Sequence, residues 1–255
     1  MIVDSTLVGS QTKSQISEST FFLLMAVLTL ATAVVGFAPN TAAVVTGTMD
    51  WPPLLIHIHG ACMLSWLLLL VTQTGLSSSG NIRLHRRLGL LSLVVVPALV
   101  LVMIVVTYVF LTSAPLSPNE AASAVMYNIF ALQIRAIVLF PMLVGWALAA
   151  RRSSPGTHKR LMLIATIGVL DAAIARMSWL PGTGAATYSS FEVMSAYQFL
   201  LMTPLIAYDY ISRGRVHRAT VIGIGAFVTF ALIENVLWGS EWWLENAARL
   251  ARVLS

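Results

Sequence analysis

The chain is poor in almost everything a soluble protein uses on its surface. Only 10% of its 255 residues are charged, against about 25% in an ordinary soluble domain. There is one cysteine, Cys62. That excludes an intrachain disulfide and any cysteine-based zinc or iron–sulfur centre. There is no catalytic-triad signature, no phosphate-binding glycine loop and no HExxH motif, so soluble-type hydrolase or nucleotide chemistry has no sequence support. No soluble block is long enough to form a second domain.

What remains is apolar. Hydrophobic residues make up 58% of the sequence. A helix that crosses about 30 Å of hydrocarbon needs about 20 apolar residues. Seven segments meet that length: 20–38, 53–75, 88–112, 125–150, 160–180, 193–212 and 219–239. The expected fold is therefore all-α, a polytopic membrane bundle of seven helices over 20–239. A short N-terminal tail (1–19) precedes it. A C-terminal segment (240–255) follows, in which Trp242, Trp243, Leu244, Leu250 and Val253 alternate with Glu245, Arg249 and Arg252, as in an interfacial helix. The first span is read as a retained helix, because its apolar run is long and no cleavage site follows it.

Basic residues give an orientation. Three connections hold ten of the fifteen: Arg83, Arg86 and Arg87; Arg151, Arg152, Lys159 and Arg160; Arg213, Arg215 and Arg218. The alternate connections hold none. The positive-inside rule then places the N-terminus in the cytoplasm and the C-terminus outside. The formal net charge of +5 fits loops that face an anionic lipid leaflet and calls for no nucleic-acid partner. The three loops also share a short pattern, His85-Arg86-Arg87-Leu88, His158-Lys159-Arg160-Leu161 and His217-Arg218-Ala219. Three hairpins of one orientation would produce it, and so would three independent topology signals.

Ionisable side chains inside apolar spans are costly and mark function by default. Arg135, Arg176, Glu234, Tyr197 and His59 each lie 16 residues from the basic end of their helix. At 1.5 Å per residue that is about 24 Å, a common level in the outer half of the bilayer. His57 lies slightly further out, and Asp171 lies deeper. The expectation is one cavity formed by His59, Arg135, Arg176, Tyr197 and Glu234, with Asp171 at its floor and His57 near its mouth. Arg135 or Arg176 is expected to pair with Asp171 or Glu234 across helices. The two arginines suit a small anion and would repel a metal cation. His57 and His59, two apart on a helix, point to opposite faces, so together they chelate nothing unless the helix unwinds. The alternative is a membrane redox protein that holds haem b between His85 and His158, at one depth on the basic side, or a metal at His59 with Asp171 or Glu234 from other helices. A third reading is a structural subunit whose ionic layer only holds helices together.

Several short motifs occur together: Gly36-Phe37-Ala38-Pro39, His57-Ile58-His59-Gly60, Leu84-His85-Arg86-Arg87-Leu88-Gly89, His158-Lys159-Arg160-Leu161-Met162-Leu163 and Ala173-Ile174-Ala175-Arg176. This set, spread over helices 1 to 5, resembles a group of bacterial multi-pass inner-membrane proteins of unknown function. The group is distantly similar to the membrane domains of b-type cytochromes and ferric reductases. The resemblance implies a bacterial inner membrane and no established activity. The chain departs from the cytochromes in lacking a second pair of intramembrane histidines.

Overall fold

The computed structural model describes residues 17–113, 121–183 and 191–255. Every regular element among them is helical: α1 (Glu18–Val45), α2 (Leu54–Ser78), α3 (Ile82–Gly89), α4 (Ser92–Thr112), α5 (Ala121–Ala150), α6 (Pro155–Ile167), α7 (Asp171–Ile174), α8 (Phe191–Arg213), α9 (Arg218–Leu237) and α10 (Glu241–Leu254). Five stretches are long and apolar enough to cross a membrane: α1, α2, α3 with α4, most of α5, and α9. Each matches a span read from the sequence. Their outward faces carry large apolar side chains, among them Val34, Val35, Val94, Leu101 and Val221. Water would penalise such continuous apolar exposure, and hydrocarbon does not.

Two of the seven expected spans come out differently. The helix expected over 160–180 is not continuous. α6 ends at Ile167, and the short α7 begins only at Asp171. At 1.5 Å per residue the 13 residues of α6 cover about 20 Å, too little to cross hydrocarbon alone. No proline causes the break. Gly168, the weakest helix former in the stretch, caps α6. The carbonyl of Ile167 accepts from Leu170 N at 3.1 Å in a tightened turn and from Gln198 Nε2 at 3.0 Å, so the interruption leaves no orphan there. α8 is long enough, with 23 residues, but it carries Gln198, Tyr208, Asp209 and Tyr210 and falls outside the five.

Packing follows small residues and buried polar groups. α1 and the α6–α7 pair run side by side in the same direction. Glu18 meets Lys159 and Arg160 at one end, and Gly36 meets Ala173 at the other. A Cβ on Gly36 would sit 2.3 Å from the Ala173 carbonyl oxygen, so only glycine allows this approach. Between the two ends lies an apolar core of Phe22, Ala26, Trp66, Leu99, Phe140, Leu143, Ile164 and Phe227. Trp66 donates from Nε1 to Thr166 Oγ1 at 3.1 Å just before the break.

The C-terminal segment forms a helix, α10, with one face packed on α5. α10 opens on Ser240, whose hydroxyl accepts from Trp243 N. Trp243 is buried, stacks on Phe130 and donates to the Tyr127 carbonyl at 2.9 Å. Trp242 and Val253 on the other face are exposed.

Candidate functional site

Two buried ionic layers lie about 16 Å apart along α6–α7 and along α8, a separation of 11 residues in each. The first is centred on Arg135. This side chain is 1% exposed. It comes from α5 and meets a carboxylate on each of two other elements. Nη2 contacts Asp171 Oδ1 on α7, and Nε lies 3.2 Å from Glu234 Oε2 on α9. Nη1 approaches Gln198 Oε1 on α8 at 3.5 Å, and the guanidinium sits 5.1 Å from the Phe227 ring centroid. The contact with Glu234 is an ion pair without hydrogen-bond geometry. Neither oxygen of Glu234 has a hydrogen-bond partner among the described residues. Four elements are thus tied by one cation, and with both carboxylates ionised the trio carries a formal charge of −1.

A cavity of about 280 Å³ opens beside this cluster. Its walls are mostly apolar, with Met63, Met103, Phe110, Leu132 and Met194 prominent. Five polar side chains also line it: His59, Thr107, Gln133, Asp171 and Arg176. Asp171 is shared, since the same carboxylate lines the cavity and holds Arg135. Arg176, in the turn after α7, donates to the Ala172 carbonyl and lies 4.7 Å over the Phe37 ring. It makes no ion pair among the described residues. His59 Nδ1 and Gln133 Oε1 are buried atoms with no hydrogen-bond partner there. Such orphans are rare in folded proteins and cost about 1–3 kcal/mol each.

The residues expected to converge therefore divide. Arg135, Asp171 and Glu234 form the ionic cluster. His59, Asp171 and Arg176 line the cavity next to it. Tyr197 does not join them; its hydroxyl donates to the Pro181 carbonyl at 3.1 Å. His57 is exposed and stacks on Trp51. Common depth brought five side chains to one level, but rotation about each helix axis decided which faced inward. Gln133 and Gln198 were missed because neutral amides are cheap enough in a span to carry little signal. Gln198 is fully buried and braces both Arg135 and the broken helix.

The second ionic layer overturns a reading of the basic loops. Arg160, expected as a loop cation, is fully buried. Its Nε and Nη2 donate to Asp209 Oδ1 at 2.9 and 2.5 Å, and Nη1 donates to Glu18 Oε1 and the Gly156 carbonyl. Asp209, also fully buried, takes the Thr220 hydroxyl at 2.6 Å and the His217 backbone N–H at 3.1 Å on its other oxygen. Glu18 adds Lys159 at 2.8 Å. Four helix ends are clamped here. Arg86, Arg87, Arg151, Arg152, Arg215 and Arg218 are exposed, as loop cations should be.

The two histidines considered for haem sit at equivalent places. His85 Nδ1 lies 3.2 Å from the Gln73 carbonyl, and His158 Nδ1 lies 2.9 Å from the Ala147 carbonyl. In both cases the acceptor is near the end of the preceding long helix, 12 and 11 residues back. The rings are close enough for their charges to interact. Among the described residues no three His, Cys, Asp or Glu side chains group closely enough to hold a metal ion. Comparison of the chain with known protein families, with curated proteins and with solved structures finds no match.

Proposed function

We propose that this multi-pass membrane protein binds, and moves, a small amphipathic acid in the half of the bundle away from the basic loops. One observation carries the reading. A mostly apolar cavity is lined by Arg176, a guanidinium without a carboxylate partner among the described residues, and by two buried polar atoms without a hydrogen-bond partner there, on His59 and Gln133. Arg176 suits an acidic head, and Met63, Met103, Phe110 and Met194 suit an apolar body. Gln133 Oε1 accepts only, so a ligand hydroxyl would satisfy it. The volume, about 280 Å³, is at the small end for ligand pockets. The broken α6–α7 helix beside the cavity favours a carrier over a static store, since transporters build their sites at such interruptions.

The test is binding of medium-chain carboxylic acids to the purified full chain, with octanoate as the probe and its methyl ester as control. Octanoate is expected to bind and the ester not. Arg176→Gln should weaken octanoate by about tenfold or more, the worth of one charge-assisted hydrogen bond. Asp171→Asn should tighten it, because a like charge leaves the cavity while Glu234 still balances Arg135. Equal binding of acid and ester, or an unchanged Arg176→Gln, overturns the proposal.

A second reading is favoured by one feature, the matched Nδ1–carbonyl contacts of His85 and His158. An Nδ1–H that donates to a carbonyl leaves Nε2 to ligate, as around metal-bound histidines; this holds for His158, whereas the Gln73 amide also lies 2.7 Å from His85 Nδ1. Haem b held by these residues would give the purified protein a Soret band that either His→Ala change removes. A colourless protein that binds octanoate excludes it.

A further inference from the structure

We propose that the basic end of the bundle carries a second site, one for a phosphate oxyanion, built by His217 and Arg213 over Gly156. Three nitrogens converge there from three helices. Measured from the point where a Cβ on Gly156 would sit, His217 Nε2 is 3.4 Å away, Arg160 Nη1 3.5 Å and Arg213 Nη2 3.9 Å. The absence of a side chain on Gly156 leaves room there for a single atom, such as one phosphate oxygen, in contact with all three nitrogens.

Partner bookkeeping shows which of the three is available. Arg160 Nη1 uses both protons, on Glu18 and on the Gly156 carbonyl. Asp209 is saturated by Arg160, Thr220 and the His217 backbone. Glu18 spends its oxygens on Arg160 and Lys159 and stands 3.7 Å from Arg213, beyond hydrogen-bond reach. Arg213, 42% exposed, has no other ion pair among the described residues. His217 Nδ1 accepts from the Ala219 backbone N–H at 3.1 Å, which fixes the tautomer: the ring proton is on Nε2. That N–H points at Gly156 and has no acceptor among the described residues. Burial, then the charges of Arg160 and Arg213, lower the His217 pKa from its ordinary value, which keeps the ring neutral and this tautomer in place.

Charge selects the ligand's sign. Among the described residues Lys159, Arg160 and Arg213 pair only with Glu18 and Asp209, an excess of +1. A tetrahedral oxyanion offers several acceptor oxygens to donors that arrive from different directions, which a planar carboxylate meets less well. Two sources share that chemistry: the phosphate of an anionic lipid headgroup, or a soluble phosphate.

The full chain, purified in a neutral detergent, is titrated with inorganic phosphate at constant ionic strength. In parallel it is titrated with phosphatidic acid in mixed micelles with phosphatidylcholine. Binding is read from the melting temperature and from lipid retained in native mass spectrometry. Stabilisation by both ligands identifies a soluble phosphate site, and stabilisation by phosphatidic acid alone identifies a headgroup site. Two variants test the geometry without dismantling the network. His217→Asn keeps a good helix cap and removes the Nε2–H donor. Gly156→Ala puts a methyl into the open space at ordinary contact distances. Each is expected to weaken binding about tenfold, the loss of one hydrogen bond to a charged group. Arg215→Gln, outside the cradle, should bind as the unaltered chain does. The proposal fails if neither ligand stabilises the protein. It also fails if His217→Asn and Gly156→Ala, still folded, bind like the parent.

Discussion

Replacing Arg135 with methionine tests the ionic cluster most directly. Methionine keeps the length and apolar body of the side chain and removes only the charge and its donors. Three side chains then have to be considered: Arg135 at 1% exposure, Glu234 at 4% and Asp171 at 13%. With the guanidinium gone, two carboxylates face each other in a low-dielectric interior with no counter-charge. Removing one partner of a buried pair costs about 3–5 kcal/mol, most of it the penalty of the stranded charge. Arg135→Met should therefore destabilise by about that amount. Glu234→Gln should behave differently. It leaves Arg135 and Asp171 as a neutral pair, strands no charge and removes a contact that lacks hydrogen-bond geometry, so its cost should stay well below that of Arg135→Met. The double variant decides between the charge argument and simple packing loss. Asp171 lines a cavity where water can reach it, so Arg135→Met with Glu234→Gln should be more stable than Arg135→Met alone, a coupling of about 1–2 kcal/mol. The assay is equilibrium unfolding of the purified protein in mixed micelles with increasing denaturing detergent. If Arg135→Met unfolds like the parent, or Glu234→Gln costs as much as Arg135→Met, the cluster is not held together by charge balance.

Arg160→Ala should cost about 3–5 kcal/mol, because it strands the fully buried Asp209, while Arg86→Ala on an exposed loop should stay within about 0.5 kcal/mol; the same unfolding assay compares them, and equal effects would mean that Arg160 is hydrated. Gly36→Ala forces the α1 backbone away from the Ala173 carbonyl and should cost about 1–3 kcal/mol; a melting temperature unchanged from the parent would contradict that close approach. His217 has its folded-state pKa lowered from the ordinary 6.5. The unfolded chain therefore binds the proton first as pH falls, so stability is present above about 6.5 and declines below it. The decline stops once pH passes the folded-state value. In phosphate-free buffer His217→Asn should flatten part of this loss, and identical pH profiles for the two proteins would sink the assignment.

How far the fold could be read in advance depended on what each residue's signal measures. Apolar length located all of the long helices, because hydrocarbon thickness sets a requirement that the sequence meets or does not. Charge in mid-span located Arg135, Asp171 and Glu234 for the same reason: burying them unpaired is too costly, and a cross-helix pairing of Arg135 was the outcome. The method failed where the cost is small or the context ambiguous. Tyr197 and His57 shared the depth but not the direction, since a phenol or an imidazole near the interface pays little for facing elsewhere. Arg160 looked like its neighbours Arg151, Arg152 and Lys159, one of a run of cations at a helix start. Nothing in that run marks the one whose rotation about α6 turns it toward Asp209. The break after Ile167 was also invisible, because the stretch is apolar on every side and gives no periodicity to interrupt.

That break explains why the two ionic layers are built as they are. A continuous helix over 160–180 would satisfy its own backbone and need no polar neighbours. An interrupted one leaves the Ile167 carbonyl with only a turn bond from Leu170 N, and Gln198 adds a second donor. Gln198 and Asp209 stand on the same helix, α8, 11 residues apart. Asp209 fixes the start of α6 through Arg160, and Gln198 fixes its end. α6 is thus held at both termini by one partner helix, while α7 is held by Arg135 from α5 and by the close contact with Gly36 of α1. The two half-helices answer to different neighbours. Any shift of α5 or α1 relative to α8 falls on Gly168, Val169 and Leu170, where no regular helical element is formed. Asp171, first residue beyond the break, is also the side chain shared by the cavity and the Arg135 cluster. A ligand that changes the electrostatics of Asp171 therefore acts on the contact that positions α7, and α7 carries the cavity wall on to Arg176. Under the carrier reading proposed above, occupancy and the geometry of the break would be linked through this one carboxylate.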